Sequence, residues 1–122
     1  MIEKVNLAQK FALINEHWSP RIAGRVNDFD VKLAKLQGEF VWHHHDNEDE
    51  LFLVVAGNLT IELRDQPAIR LEAGEFVIIP RGVAHRPVVE TECHVLLFEP
   101  AGTLNTGSAV ASEYTVVHPD TI

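Results

Sequence analysis

The stretch Gly38-Glu39-Phe40-Val41-Trp42-His43-His44-His45-Asp46-Asn47-Glu48-Asp49-Glu50-Leu51-Phe52-Leu53-Val54-Val55-Ala56-Gly57 decides how this chain is read. Two strand-like runs flank an acidic bend, Asp46–Asp49. Successive side chains of a strand point to opposite faces, so His43 and His45 share one face and His44 takes the other. Glu50 opens the second run, where Glu50, Phe52, Val54 and Ala56 share a face. If that face turns inward, one carboxylate meets two imidazoles, and nitrogen/oxygen ligands of this kind suit a first-row divalent ion. Downstream, Gly74 through Pro80-Arg81-Gly82-Val83-Ala84-His85 runs strand, turn, strand. Pro80 and Gly82 reverse the chain, and His85 begins the returning strand as a fourth candidate ligand.

Outward from these segments, short apolar runs recur between Gly, Pro, Asn and Asp. They are Ile22–Val26, Phe29–Gln37, Glu39–His45, Glu50–Ala56, Leu59–Arg64, Phe76–Ile79, Val83–Val88 and His94–Phe98. About eight strands at this spacing, with no long helix between them, predict an all-β sandwich or barrel. Gly57-Asn58 is expected to turn a two-residue hairpin, and Glu90–Glu92 to be a turn. Residues 3 to 13 are read as a short helix or irregular arm, and Trp18-Ser19-Pro20 as a turn. The tail from Gly102 to Ile122 is expected to pack across the barrel or a partner subunit.

The spacing Gly38, His43-x-His45, Glu50, Gly57 resembles the first cupin motif, and Gly74…Pro80-x-Gly82-x2-His85 resembles the second. Together they span Gly38 to His85, more than a third of the chain, in the family's order. The resemblance is to small single-domain cupins of the RmlC-like type, often labelled mannose-6-phosphate-isomerase-like. It implies a double-stranded β-helix, the cupin jelly-roll barrel, with a short N-terminal arm or helix and a C-terminal tail. One domain over residues 1–122, with its core barrel at about 22–100, is expected. The implied cofactor is a divalent metal ion (Fe, Mn, Ni, Co or Zn) on His43, His45, Glu50 and His85. Two departures stand out: Val89 occupies a position where the family often has Asn, and Gly38 lies one residue closer to His43 than usual. A register shifted onto His44 and Asp46 would keep the glycine spacing but exchange a histidine for a carboxylate. Glu48 is a conceivable spare ligand.

The formal charge of −8 disfavours nucleic acid and membrane partners. The hydrophobic fraction of 46% against 23% charged is that of an ordinary globular chain. No apolar run approaches the roughly 18 residues of a membrane span, and the apolar–charged alternation from Ile2 onward is unlike a secretory signal, so a cytoplasmic location is expected. The single cysteine, Cys93, allows no internal disulfide and is read as a buried small hydrophobe. His17, His94 and His118 are read as structural or surface residues, Arg81 and Arg86 as anion contacts or plain surface. A cavity lined by Val41, Phe52 and Val54 would suit a small organic ligand. The expected activity is metal-dependent chemistry of dioxygenase, isomerase or decarboxylase type on a small organic substrate. The alternative is a non-catalytic ligand-binding or structural metal-binding module. Phe40, Trp42, Leu51, Leu53 and Val55 are placed on the outer face, where a continuous apolar surface asks for a cover and predicts a homodimer.

Overall fold

Alternation of buried and exposed positions, the signature of a sheet with one face on the core, continues through nearly every strand of the chain. The computed structural model describes residues 1–122. Its elements are α1 (Leu7–Phe11), β1 (Arg21–Val26), β2 (Phe29–Glu39), β3 (Glu50–Ala56), β4 (Asn58–Leu63), β5 (Gln66–Glu72), β6 (Phe76–Ile79) and β7 (His85–Pro100). All strand pairs are antiparallel, and the main path runs β1-β2-β7-β3-β6. This is the expected all-β jelly roll.

The strand β7 closes the barrel. Its second half pairs with β3, from Leu51↔Phe98 to Ala56↔His94, and its first half pairs with β4, from Thr60↔Val88 to Leu63↔His85. Residues Glu90–Glu92, expected to turn, are instead a bulge inside one 16-residue strand. Opposite them β2 advances only from Leu36 to Gly38 while β7 runs from Cys93 back to Val89, so the surplus residues bow out. Because β7 serves both sheets, β3 and β4 need not pair with each other. Gly57 (φ +84°) therefore carries the chain from one sheet to the other, and the Gly57-Asn58 hairpin does not form. A side chain there would press on the Glu92 carbonyl at 3.0 Å. The hairpin lies one strand later, between β4 and β5 at Arg64-Asp65. The strand β5 escaped sequence reading because it pairs only with β4, begins at Gln66-Pro67 and buries only Leu71; a sheet edge tolerates proline and exposed polar residues.

The main core gathers Leu36, Phe40, Phe52, Val54, Leu59, Ile61 and Val95 among others inside the barrel. A smaller cluster lies outside, where Phe11 and Ile14 of the N-terminal arm bury Leu33. The arm forms one turn of helix, capped by the Asn6 side chain on the Gln9 amide (2.9 Å). The tail packs on this chain's own barrel: Ile22 and its neighbours bond Asp120 and Ile122 (2.8 and 2.9 Å), and Tyr114 joins the main core.

Candidate metal centre

Beyond Glu39 the chain leaves the sheet, yet the two-residue alternation of the histidines survives. The backbone of His43 exchanges hydrogen bonds with His85 in both directions (3.1 and 2.9 Å). That pairing brings the first and last candidate ligands together. Glu50 enters from the start of β3, opposite Ile79. The ligand atoms of His43, His45, Glu50 and His85 all lie within 4.8 Å of one another, and all four side chains are buried.

Local bonds fix which atoms face the centre. The Nδ1 of His43 lies 2.9 Å from the Val41 carbonyl, and the Nδ1 of His85 lies 2.9 Å from the Val83 carbonyl. A carbonyl only accepts, so both Nδ1 atoms carry hydrogen and both Nε2 atoms keep a free lone pair. The Nε2 atoms of His45 and His85 and the Oε1 of Glu50 are buried with no hydrogen-bond partner. Each of those nitrogens lies 3.5 Å from Glu50 Oε1. Atoms bound at about 2.1 Å to a common tetrahedral ion stand roughly 3.4 Å apart. Unpartnered buried polar atoms are rare, and a shared cation would satisfy all of them, so the residues fit a divalent metal.

The shifted register fails on geometry. His44 turns outward to Asp46 (2.9 Å) and Ser108 (3.0 Å), away from His85. Glu48 lies with His44 and His45 around a separate polar surface pocket, and its side chain accepts from the Asn47 amide (3.2 Å).

Residues 29–99 match the Cupin domain family, well over half of the chain. This chain is a cupin. A cupin-2 domain protein from Shewanella frigidimarina is 49% identical, with 79% of this chain and 93% of that one aligned at a TM-score of 0.77. A Neisseria meningitidis protein is 34% identical over 81% of this chain and all of that one, with a TM-score of 0.75. The uncharacterized Bacillus subtilis protein YdbB is 46% identical over 61 residues, half of this chain and 54% of that protein. The match to that curated relative thus spans about half its length.

In this cupin the centre opens on a cavity of about 40 Å³ whose walls include Trp18, Leu36, Phe40, Phe52, Val95 and Leu97. Phe52 was expected there. Val54 is buried in the core away from it, and Val41 only packs against that core. Phe40, placed outside by simple alternation, is buried and stacked on Trp18 (4.8 Å), because β2 has already ended at Glu39. Trp18 has φ +59° and donates its indole N–H to the Gln37 carbonyl (2.8 Å). No sequence signal pointed to its place in the cavity.

Two charged residues of the interior were also missed. Lys32 is 2% exposed and Glu99 1%, and Lys32 Nζ lies 2.9 Å from Glu99 Oε1. Parity could have exposed them: Lys32 falls on the inward side with Ala34 and Leu36, Glu99 with Val95 and Leu97. Burial, and then the Glu50 charge, raise the Glu99 carboxyl well above its usual range, against the pull of Lys32. Burial raises Glu50 too, but a hydrogen bond from Glu99 and the nearby His45 and His85 outweigh it and hold Glu50 well below. Two buried carboxyls in reach of each other retain one proton between them, and it resides on Glu99. Burial, followed by the charge of His85, lowers His43 to about 4, so its ring is neutral at pH 7.

The remaining candidates are structural. Arg81 pairs with Asp49 (3.3 Å), while Arg86 binds Glu62 (2.6 Å) and lies over the Trp42 ring. His17 and His94 flank Glu92 at 2.8 and 3.0 Å. Cys93 is buried, and burial pushes its thiol up to about 11.

Proposed function

We propose that this cupin, as one domain over residues 1–122, binds one divalent metal ion on His43, His45, Glu50 and His85 and uses it on a small organic substrate. The observation that carries the reading is the set of buried, unpartnered ligand atoms converging on one point. The ion would supply Lewis acidity or open coordination positions for a substrate oxygen. The chain's own residues do the rest. Hydrogen bonds to Val41 and Val83 lock the tautomers of His43 and His85. Glu50 supplies the compensating charge, and the apolar walls keep bulk water from the centre. A non-catalytic ligand-binding module is the second reading, favoured by the size of the cavity: about 40 Å³ holds only roughly three waters.

The ligand set serves Fe, Mn, Ni, Co and Zn alike, so the metal is a matter for reconstitution. Metal-free protein given each ion at a hundred-fold excess over its Kd should melt at a higher temperature, the gain being about 2.7 kcal/mol. No shift with any of the five ions would overturn the reading.

We also assign the cupin to the cytoplasm, free of nucleic acid and membrane partners, on its charge of −8. No helix is long and apolar enough to cross a membrane. A homodimer follows from the open sheet face. The cross-strand row Val31, Phe98, Leu51, Ile78 ends in an exposed Ile78, and the row Leu33, Leu96, Leu53, Phe76 ends in an exposed Phe76. Leu33 lies under the N-terminal arm, whereas nothing in the chain covers the Phe76 and Ile78 end.

A further inference from the structure

The metal centre gives no role to Lys32 and Glu99. Burying an ammonium and a carboxylate is costly, and replacing such a pair by apolar residues of similar volume is often neutral or stabilising. Stability therefore offers no reason for the pair. The third buried charge of this region, Asp30, is ordinary by comparison: Arg25 reaches it from the exposed side (2.9 Å).

The geometry of Glu99 is different. Lys32 grips its Oε1 at 2.9 Å and is itself tied to the Thr103 carbonyl (3.3 Å). Oε2 is buried and has no hydrogen-bond partner. One step beyond the Leu51↔Phe98 pair, the register sets Glu50 beside Glu99, and both line the cavity. One edge of an apolar cavity thus carries the ligand cluster and, next to it, a carboxyl held on one oxygen and free on the other. The space of about 40 Å³ admits a body of two or three carbons.

We propose that Glu99, positioned by Lys32, contacts the substrate by fixing a hydroxyl group, and that the substrate is a two- or three-carbon hydroxy carbonyl compound. One of its oxygens faces His43, His45, Glu50 and His85, and its hydroxyl meets Glu99. The adjacent oxygens of such a compound match the short step from Glu50 to Glu99, and its carbon end lies against Phe52 and Leu97. A ketone of similar size without the hydroxyl leaves the Glu99 oxygen unpaired and binds about ten-fold or more weakly. This inference rests on the metal-centre reading above.

The test uses cobalt(II)-loaded protein titrated with hydroxyacetone and with 2-butanone, followed by the visible bands of the metal. Wild type is compared with the double variant Lys32→Met/Glu99→Leu, which removes both charges together at similar volume. Wild type should take about one cobalt per chain and bind hydroxyacetone at least ten-fold more tightly than 2-butanone. The double variant should keep its cobalt and its melting temperature and lose the preference. Where it does not fold, Glu99→Gln, which retains the shape, is scored on the same preference. An unchanged preference in the variant, or a wild type that does not distinguish the two ketones, overturns the role of Glu99 and leaves the metal centre standing. A wild type that takes up no cobalt overturns both.

Discussion

The histidines of this cupin are legible at the residue scale because each is placed by a bond to its own neighbourhood. His43 and His85 use the same device, an Nδ1–H donated to the carbonyl two residues earlier. Their buried rings are most stable neutral, which gives the metal-free protein a defined pH dependence. A histidine in the unfolded chain titrates near 6.5, whereas His43 in the fold is lowered to about 4. Between those values the unfolded chain carries the extra proton, so stability is complete above about pH 6.5 and falls as pH drops toward 4, by up to about 3 kcal/mol. Glu99 acts in the opposite direction, since its raised carboxyl takes up a proton in the fold before it does in the unfolded chain. The His43 contribution is therefore isolated by comparing urea midpoints of metal-free wild type and His43→Gln at pH 7 and pH 4.5. Wild type should lose more of its midpoint than the variant, and equal losses would contradict the account. The ligand positions were readable because they follow the two-residue alternation. Lys32 and Glu99 follow it too, but a charged residue in a strand is usually a solvated one, and only the paired register of β2 and β7 shows both inside.

Elements were legible wherever burial alternates and obscure wherever one strand serves two sheets. The bulge at Glu90–Glu92 and the crossing at Gly57 both follow from the length of β7, a property no local window of sequence contains. The tail is a second such case. Gly107 (φ +49°) brings the segment Leu104–Ser108 against the histidine stretch, where Ser108 donates its amide to the His44 carbonyl (2.9 Å). A Cβ at position 107 would lie 2.3 Å from the His44 carbonyl oxygen and 3.1 Å from His45 Nδ1. Gly107→Ala should therefore push the tail off the site, cost about 2 kcal/mol from the left-handed backbone alone, and weaken metal retention through His45. Thermal melting with and without added metal checks this, and a variant that matches wild type in both would show that the tail does not hold His45 in place.

For the molecule as a whole, the outer face was only half readable. Of the five residues placed there from sequence, Phe40 is inside, Trp42 lies beneath Arg64 and Arg86, and Val55 packs with the N-terminal arm's cluster. Leu51 and Leu53 remain on the open rows that end at Ile78 and Phe76, which are 53% and 59% exposed. A second copy on this face should bury them, so light scattering at micromolar concentration should give the mass of a dimer. Ile78→Lys should give a monomer, and a monodisperse wild-type monomer would remove the dimer. The central claim is the metal centre, and the most direct measurement is elemental analysis of untagged protein beside a His43→Ala/His85→Ala variant. The account predicts about one Fe, Mn, Ni, Co or Zn per chain in the wild type, absent from the variant. A wild type that is empty and takes up no ion on reconstitution would contradict it.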